Sequence, residues 1–115
     1  MGDCIFCKIA NKEIKSEIVF EDEAVIAFSD IMPQAPVHVL VIPKKHITSF
    51  VDIAADGDFE YVKHIFSAAN KIAGEKGLDK SGFRIVCNHG RAAGQAVPHL
   101  HFHLLGGRKL GWPPG

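Results

Sequence analysis

Three histidines occupy alternate positions in the segment PHLHFHLLGG, residues 98–107. Positions i, i+2 and i+4 of a β-strand face the same side of its sheet. A strand here would therefore present His99, His101 and His103 on one face and send the intervening apolar residues into the core, namely Leu100, Phe102 and Leu104. An ordinary solvated face would instead mix residues such as Lys, Thr and Glu.

Imidazoles in this arrangement suit two kinds of chemistry. Histidine is the commonest metal ligand, and it is also a nucleophile or acid–base group near neutral pH. Alternate strand positions lie roughly 6.5–7 Å apart at Cα, so three consecutive side chains do not converge readily on one ion. Separate roles for the three histidines are therefore favoured over a single metal ion bound by all of them.

A second pattern, CIFC, places Cys4 and Cys7 at a Cys-x2-Cys spacing. The spacing suits tetrahedral zinc, and a redox pair has the same spacing. The redox interpretation needs a helix that starts after a strand, whereas this motif lies at the beginning of the chain. With Cys87 the cysteines number three, and an odd count argues against a disulfide framework and favours a reducing cytoplasm.

The composition predicts one small globular domain. The chain has 115 residues, of which 47% are hydrophobic, and we expect a single domain over 1–115 with 106–115 as a C-terminal tail. Thirteen basic and thirteen acidic side chains cancel, which disfavours a nucleic-acid polymer as partner and still allows a small anionic ligand. No apolar run reaches the roughly 18 residues of a membrane span, and we expect neither a secretory signal nor membrane association.

The remaining sequence predicts the elements that position these residues. β-rich runs over Ile18–Phe20 and Ala24–Phe28 suit a hairpin, and Val37–Pro43 reads as a buried central strand. A helical apolar period runs from Asp58 to Lys76, with Asp56 or Asp58 to cap it and Gly77 to end it. Its stripe comprises Phe59, Val62, Ile65, Phe66, Ala69, Ile72 and Ala73.

A shorter helix near Thr48 or Ser49, a strand within residues 82–90 and the histidine strand complete the pattern. We therefore predict an α+β fold: a mainly antiparallel five-stranded sheet with one long helix and one or two short ones. Trp112 lies in the tail, and we expect so large an aromatic side chain to dock on a surface.

The ordered set of motifs resembles the histidine triad (HIT) family. HLHFHLL fits its His-φ-His-φ-His-φ-φ pattern, where φ is apolar. DIMPQAPVHVLVIPKKHI is similar to its central strand, VCNHGRAAGQAVPHLHFHLLGGR to its active-site segment, and WPPG to the tail of its Hint branch. The resemblance runs from about Cys4 to Gly115 and implies a homodimer that joins two sheets, with the long helix in the interface.

The resemblance also implies an activity. HIT enzymes attack the α-phosphate of a nucleotide and form a nucleotidyl-histidine that water then hydrolyses. Carried over, His101 is the nucleophile, His103 hydrogen-bonds a phosphoryl oxygen, and His38 helps to orient the nucleophile. The implied reaction is hydrolysis of the P–N bond of purine nucleoside 5′-phosphoramidates, and the implied ligand is a purine nucleotide.

Further residues match the family's ligand contacts. Asn88, Gly94 and Gln95 match residues that contact the phosphates, and Asp30 matches the acid that binds the ribose hydroxyls. An Asp at this position could equally form a turn. The apolar slot for the base corresponds to Ile5, Phe6, Ile9, Phe28 and Ile31.

One position departs from the Hint pattern. Ala96 stands where such proteins commonly carry Ser, whose hydroxyl can assist the leaving group. The loss of one hydrogen bond typically costs on the order of 1–3 kcal/mol. The departure therefore makes turnover less certain than nucleotide binding.

Zinc at the cysteine pair would need two more ligands from distant histidines. A related branch of the superfamily, galactose-1-phosphate uridylyltransferase, is similar in using a Cys pair, a histidine of the PKKHI segment and the first triad-like histidine. We therefore predict a closed structural zinc site of Cys4, Cys7, His46 and His99, and no organic cofactor.

Three other functions stay open. One is a dinucleoside polyphosphate hydrolase of the Fhit branch, against which the Hint-like tail argues. Another is a nucleotide sensor or scaffold with vestigial catalysis, which the Ala96 departure supports. The last is a zinc-binding interaction module, which would depend on Cys4 and not on His101.

Overall fold

An open, five-stranded antiparallel sheet forms the middle of the computed structural model, which describes residues 3–54 and 56–115. Its strands lie in the order β1-β2-β3-β5-β4. The α+β prediction is therefore confirmed. The strand bounds are β1 Ile18–Glu21, β2 Val25–Ser29, β3 Val37–Pro43, β4 Phe83–Val86 and β5 Phe102–Gly106.

The long helix and a short helical turn near Ser49 are present as predicted, together with three further helical segments that the sequence pattern did not locate. The long helix α2 spans Asp56–Glu75, slightly earlier than predicted, and Gly77 follows it in the left-handed conformation with φ 75°. The other helices are α1 Ile5–Ala10 and α3 Leu78–Ser81, and 3-10 turns cover Phe50–Asp52 and Arg91–Ala93. Helix α1 was not predicted, because six residues are too few to display a helical period.

Helix α2 covers one face of the sheet. Its buried apolar residues are Ile65, Ala68, Ala69, Ile72 and Ala73, and they pack on Val25, Ala27, Val39, Val41, Leu100, Phe102 and Leu104. Two members of the predicted stripe behave differently: Phe59 and Phe66 are 54% and 47% exposed. Phe66 still packs edge-on against Phe102 of the sheet at 5.4 Å, so burial within the stripe was wrongly predicted for both rings, whereas its direction holds for Phe66.

Helix α1 covers the opposite face. Phe6 and Ile9 of α1 pack on sheet residues Ile26, Phe28, Leu40 and Ile42. Since Leu100, which precedes β5, and Phe102 and Leu104 within it all face α2, the residues that alternate with them face α1. The histidine line therefore lies between the sheet and a helix that the sequence pattern did not reveal.

The β3–β5 register brings a fourth histidine to this face. Leu40 pairs with His103, and His38 pairs with Leu105. Because His38 and Leu40 share a face, His38 lies diagonally across from His103, within reach of a long side chain. Gly106 pairs with Val37 and Phe83, so the predicted tail boundary was one residue early and the tail begins at Gly107.

An ion pair fastens α2 to the β1–β2 turn. Asp22 forms the turn by accepting the backbone N–H groups of Ala24 and Val25 at 2.7 and 2.8 Å, and its second oxygen lies 3.0 Å from Nδ1 of His64. This contact raises the pKa of His64 above its usual 6.5, and the same hydrogen bonds lower the pKa of Asp22. His64 therefore joins α2 to the edge hairpin of the sheet.

The Asp22–His64 pair is expected to make the free energy of unfolding depend on pH. A raised histidine pKa contributes stability that is complete below the unfolded value and is lost as pH rises through the folded value. His64→Gln should therefore lower the melting temperature more at about pH 5.5 than at about pH 8.5, measured by differential scanning calorimetry. Equal shifts at both pH values would contradict this account.

The C-terminal tail is held by two arginines. Arg84 of β4 donates to the carbonyl of Gly111 at 2.8 Å, and Arg108 donates to the carbonyl of Gln34 at 3.0 Å. Trp112 is 83% exposed on the single chain, so it does not dock on its own fold. No helix in the described ranges is long and apolar enough to cross a membrane.

Candidate active site

The three histidines share one face, as their spacing predicted. The rings of His101 and His103 lie 5.1 Å apart, and Phe6 of α1 stands edge-on to His101 at 5.1 Å and to His99 at 5.9 Å. His99 is 0% exposed and His101 only 6%. The face is therefore covered by α1 and holds a desolvated line of imidazoles.

His101 is held in one tautomer. Its Nδ1 lies 2.7 Å from the carbonyl oxygen of His99. A carbonyl can only accept, so Nδ1 carries the proton and donates it, and in the neutral ring Nε2 keeps its lone pair. The ring is thus fixed with its unprotonated nitrogen, Nε2, on the side away from the His99 carbonyl.

A chain of hydrogen bonds fixes the tautomer of His103. The backbone N–H of Gln34 donates to Nδ1 of His38 at 3.0 Å, so neutral His38 carries its proton on Nε2. That Nε2 donates to Nδ1 of His103 at 2.9 Å. His103 therefore carries its own proton on Nε2, where it is a donor.

Burial keeps both members of this pair neutral. It lowers the pKa of His38 in spite of the Asp30 carboxylate, whose oxygen lies 3.4 Å from Nε2. Burial and the neighbouring His101 and His38 lower the pKa of His103 to about 4. His38 bonds His103, and the carbonyl of His99 holds the ring of His101, so any orienting effect of His38 on His101 passes through His103 and stays a prediction.

Four ligand atoms converge beside this line, as predicted for zinc. The ligand atoms of Cys4, Cys7, His46 and His99 all lie within 4.8 Å of one another. Nδ1 of His99 is 3.3 Å from Sγ of Cys4 and 3.6 Å from Sγ of Cys7, and Nδ1 of His46 is 3.3 Å from Sγ of Cys7. Adjacent S and N ligands of a tetrahedral zinc lie about 3.5 Å apart, so this cluster could bind a metal ion.

The hydrogen bonding of His99 fits that use. Its Nε2 donates to the carbonyl of Pro43 at 2.9 Å, which leaves the lone pair on Nδ1, the atom that faces the cysteines. Burial and the neighbouring Cys4 raise the pKa of Cys7 to about 11. Its thiol is therefore protonated until a cation displaces the proton.

A second group, Asp30, His38 and His103, has similar spacing but different chemistry. A metal on Nε2 of His38 would require the ring proton to move to Nδ1, which already accepts the Gln34 N–H. The structure thus separates a cluster suited to metal from a pair suited to ordered protons.

Comparison with known proteins agrees with this geometry. A family model described as the HIT domain matches residues 11–110. The chain belongs to the HIT family.

Several HIT proteins resemble the chain over nearly their whole length. A HIT family hydrolase from Legionella pneumophila superposes with a TM-score of 0.94 at 50% identity, covering 98% of this chain and 100% of that one. A HIT-like protein from Synechococcus elongatus is 49% identical, covering 98% of this chain and 97% of the relative. A histidine triad nucleotide-binding protein from Candida albicans superposes with a TM-score of 0.83 at 36% identity, covering 96% of this chain and 83% of that one.

The loop expected to hold phosphates is braced from within. Oε1 of Gln95 accepts the N–H of Gly90 at 3.0 Å, and Nε2 donates to the carbonyls of Thr48 and Val97 at 2.9 and 3.1 Å. The N–H groups of Gly94 and Gln95 also bond within the loop. The N–H donors of the Gln95 side chain are therefore engaged within the protein, where they shape the loop, and its contact with a phosphate stays a prediction.

Asn88 contrasts with Gln95. Its side chain is half-buried and makes no hydrogen bond to any residue in the described ranges. A carboxamide supplies two donors and an acceptor. The Asn88 carboxamide is therefore available to hydrogen-bond a ligand, whereas the Gln95 carboxamide is hydrogen-bonded within the protein.

The residues expected around the nucleoside divide into two groups. Phe6, Ile9 and Phe28 are buried, with the Phe6 and Phe28 rings edge-on at 5.4 Å, whereas Ile5 and Ile31 are 46% and 93% exposed. Asp30 forms the turn named as its alternative role, since Oδ1 accepts the N–H of Met32 at 2.8 Å.

A cavity of about 380 Å³ lies on the metal side of the site. Its lining includes Cys4, Ile5 and His46 from one side and Thr48, Ala96 and Pro98 from the other. Ala96 thus faces open space, where a serine hydroxyl would project.

Sequence reasoning missed the backbone groups that orient the rings. The N–H of Gln34 and the carbonyls of Pro43 and His99 set the tautomers of three histidines. Backbone atoms carry no residue-type signal, so only the strand register could have indicated them.

Proposed function

We propose that this HIT protein hydrolyses purine nucleoside 5′-phosphoramidates through a nucleotidyl-histidine on His101. One observation carries the proposal: His101 is buried with Nδ1–H on the His99 carbonyl at 2.7 Å, which leaves its Nε2 lone pair available. The hydrolase among the similar structures and the nucleotide-binding protein from Candida albicans support the class of reaction and ligand.

In the first step, Nε2 of His101 attacks the α-phosphorus and the P–N bond breaks. The leaving nitrogen takes a proton and departs as an amine. The nucleotidyl imidazolium is stabilised because its Nδ1–H already points at a carbonyl oxygen. The side chain of Ala96 has no proton to give, so water supplies the proton.

In the second step, water attacks phosphorus and releases a proton to solvent, the P–Nε2 bond breaks, and a nucleoside monophosphate leaves with His101 neutral again. His103 donates from Nε2 to a phosphoryl oxygen in both steps, since Nδ1 is held by His38. Neutral donors suit this task because they need no reorganisation as charge builds up.

The substrate test compares two reactions. Purified protein is incubated with adenosine 5′-phosphoramidate or with diadenosine tetraphosphate, and AMP release is followed by chromatography. We expect faster release from the phosphoramidate and a nucleotidyl-protein adduct after rapid acid-free denaturation. Preference for the tetraphosphate would support the Fhit-type alternative, and AMP binding without turnover would support a sensor.

Ala96→Ser tests the departure from the Hint pattern. The restored hydroxyl is expected to donate to the leaving nitrogen and raise kcat about tenfold, as one hydrogen bond made in the transition state would. Ala92→Ser, on the exposed 3-10 turn of the same loop, is the matched control and should leave kcat unchanged. An unchanged or lower rate for Ala96→Ser would remove this explanation.

The metal cluster is proposed as a structural zinc site. Cys4, Cys7, His46 and His99 would fill all four positions of a tetrahedral ion and leave none for a substrate. Bound there, zinc would tie α1 to the segment that leads into β5 and hold Phe6 against His101. Zinc binding, the basis of the interaction-module alternative, is in this proposal a structural feature of the enzyme.

A homodimer is proposed from the apolar surface beside α2. Phe83 and Ile85 of edge strand β4 are 38% and 36% exposed and lie on the face that carries the half-exposed Phe66. We expect light scattering to give twice the 12.5 kDa of one chain, and a stable monomer would defeat this proposal. The single domain over 1–115 and the cytoplasmic location stay predictions.

A further inference from the structure

The loop that orders the protons of His38 and His103 makes few apolar contacts. Residues 30–36 join β2 to β3, and Ile31 and Met32 in it are 93% and 72% exposed. Ahead of the buried Ala35, the conformation of the loop therefore depends on polar contacts. Yet the loop supplies the Gln34 N–H, the group that assigns the ring proton of His38.

The C-terminal tail supplies a fixing contact. Nε of Arg108 donates to the carbonyl of Gln34 at 3.0 Å, and Nη1 donates to the carbonyl of Lys109 at 2.9 Å. The planar guanidinium thus joins both segments in one defined orientation.

Gly107, the residue before Arg108, shows that the tail and the β2–β3 loop are in close contact. Gly107 has φ 92°, and a Cβ there would lie 2.9 Å from Cβ of Pro36. A side chain would force the two segments apart. The approach that brings Arg108 to Gln34 therefore depends on glycine at 107.

We propose that Arg108 is a positioning residue that fixes the proton order of the His38–His103 pair through the backbone of Gln34. Without it the Gln34 N–H is free to leave Nδ1 of His38, and the His38 proton can then occupy either nitrogen. His38 with its proton on Nδ1 no longer donates to His103, which loses the constraint that places its own proton on Nε2.

The test is the tautomer itself, read in the free protein. Histidine labelled with ¹⁵N reports which ring nitrogen carries the proton through two-bond ¹H–¹⁵N spectra. In the parent protein we expect the proton on Nε2 of both His38 and His103, and in Arg108→Ala a mixture at both rings. Arg84→Ala is the matched control, because Arg84 holds the same tail at Gly111 without touching Gln34.

Kinetics give a second readout, which rests on the proposed function. For adenosine 5′-phosphoramidate, Arg108→Ala should lower kcat about tenfold and change KM less than about twofold, because the donor to the transition state is affected and the ground-state contacts are not. Arg84→Ala should stay near the parent.

Two results would overturn the proposal: parent-like tautomers in Arg108→Ala, or equal disturbance in Arg84→Ala. A parent protein without hydrolytic activity would defeat the proposed function alone. The tautomers of His38 and His103 in the two variants would still decide the role of Arg108.

Discussion

Replacing His101 by alanine is expected to reduce AMP release from adenosine 5′-phosphoramidate by at least about 10³-fold, since no other group can form the covalent intermediate. Among residues 3–54 and 56–115, only His101 combines burial, a donated Nδ1–H and a position between His99 and His103. Steady-state kinetics on the purified variant, with mass spectrometry for the adduct, measure the effect.

The loss must be separated from a folding defect. His64→Ala is the control, because His64 lies on α2, on the other side of the sheet from α1. It should retain parent-like kcat. His101→Ala should still melt cooperatively and bind AMP. A well-folded His101→Ala protein that turns over at the parent rate would exclude the nucleophile assignment.

Removing the metal is expected to produce the largest change in stability. A ligand at a thousandfold its Kd stabilises the native state by about 4 kcal/mol, and for a domain of this size each kcal/mol corresponds to roughly 4–8 °C in Tm. Chelation, or Cys7→Ser, should therefore lower Tm by more than about 15 °C. Metal content by plasma mass spectrometry should fall from one zinc per chain to near zero.

Cys87→Ser is the matched control for the cysteine substitution. Cys87 is half-buried against the α2-side core and lies outside the metal cluster. The Cys87→Ser protein should keep its zinc and melt close to the Tm of the parent. Equal zinc content in Cys7→Ser and the parent, or equal zinc loss in Cys87→Ser, would contradict the assigned ligands.

Activity should also fall when the metal is removed, for a reason that the geometry supplies. The ring of His99 contributes Nδ1 to the Cys4, Cys7, His46 and His99 cluster, while its carbonyl oxygen accepts from Nδ1 of His101. Phe6 of α1, the helix that begins after Cys4, packs on the ring of His101. We expect chelated protein to lose kcat before it unfolds globally.

Much of this site was predictable because strand alternation is a strong constraint. Leu100, Phe102 and Leu104 had to enter the core, so the histidines had to share the other face. The convergence of the two cysteines with two distant histidines came from resemblance. Sequence spacing alone named the cysteines and left the other ligands open.

Other features depended on contacts that leave no local pattern. Helix α1 is too short for a period, and the β3–β5 register, which places His38 beside His103, is set by pairing across 65 residues of sequence separation. Gln95 illustrates the same limit. Its residue type is equally suited to phosphate and to backbone carbonyls, and only the folded loop decides between them.

The neutral His38–His103 pair has a consequence for how nucleotides would be held. Recognition by uncharged donors gains little from long-range Coulomb attraction, so nucleotide affinity should vary weakly with ionic strength, unlike a pocket lined by lysine or arginine. The product monophosphate, more highly charged than the substrate, gains no matching increase in attraction from these rings. A site of this kind favours release of its product and rapid return to the free enzyme.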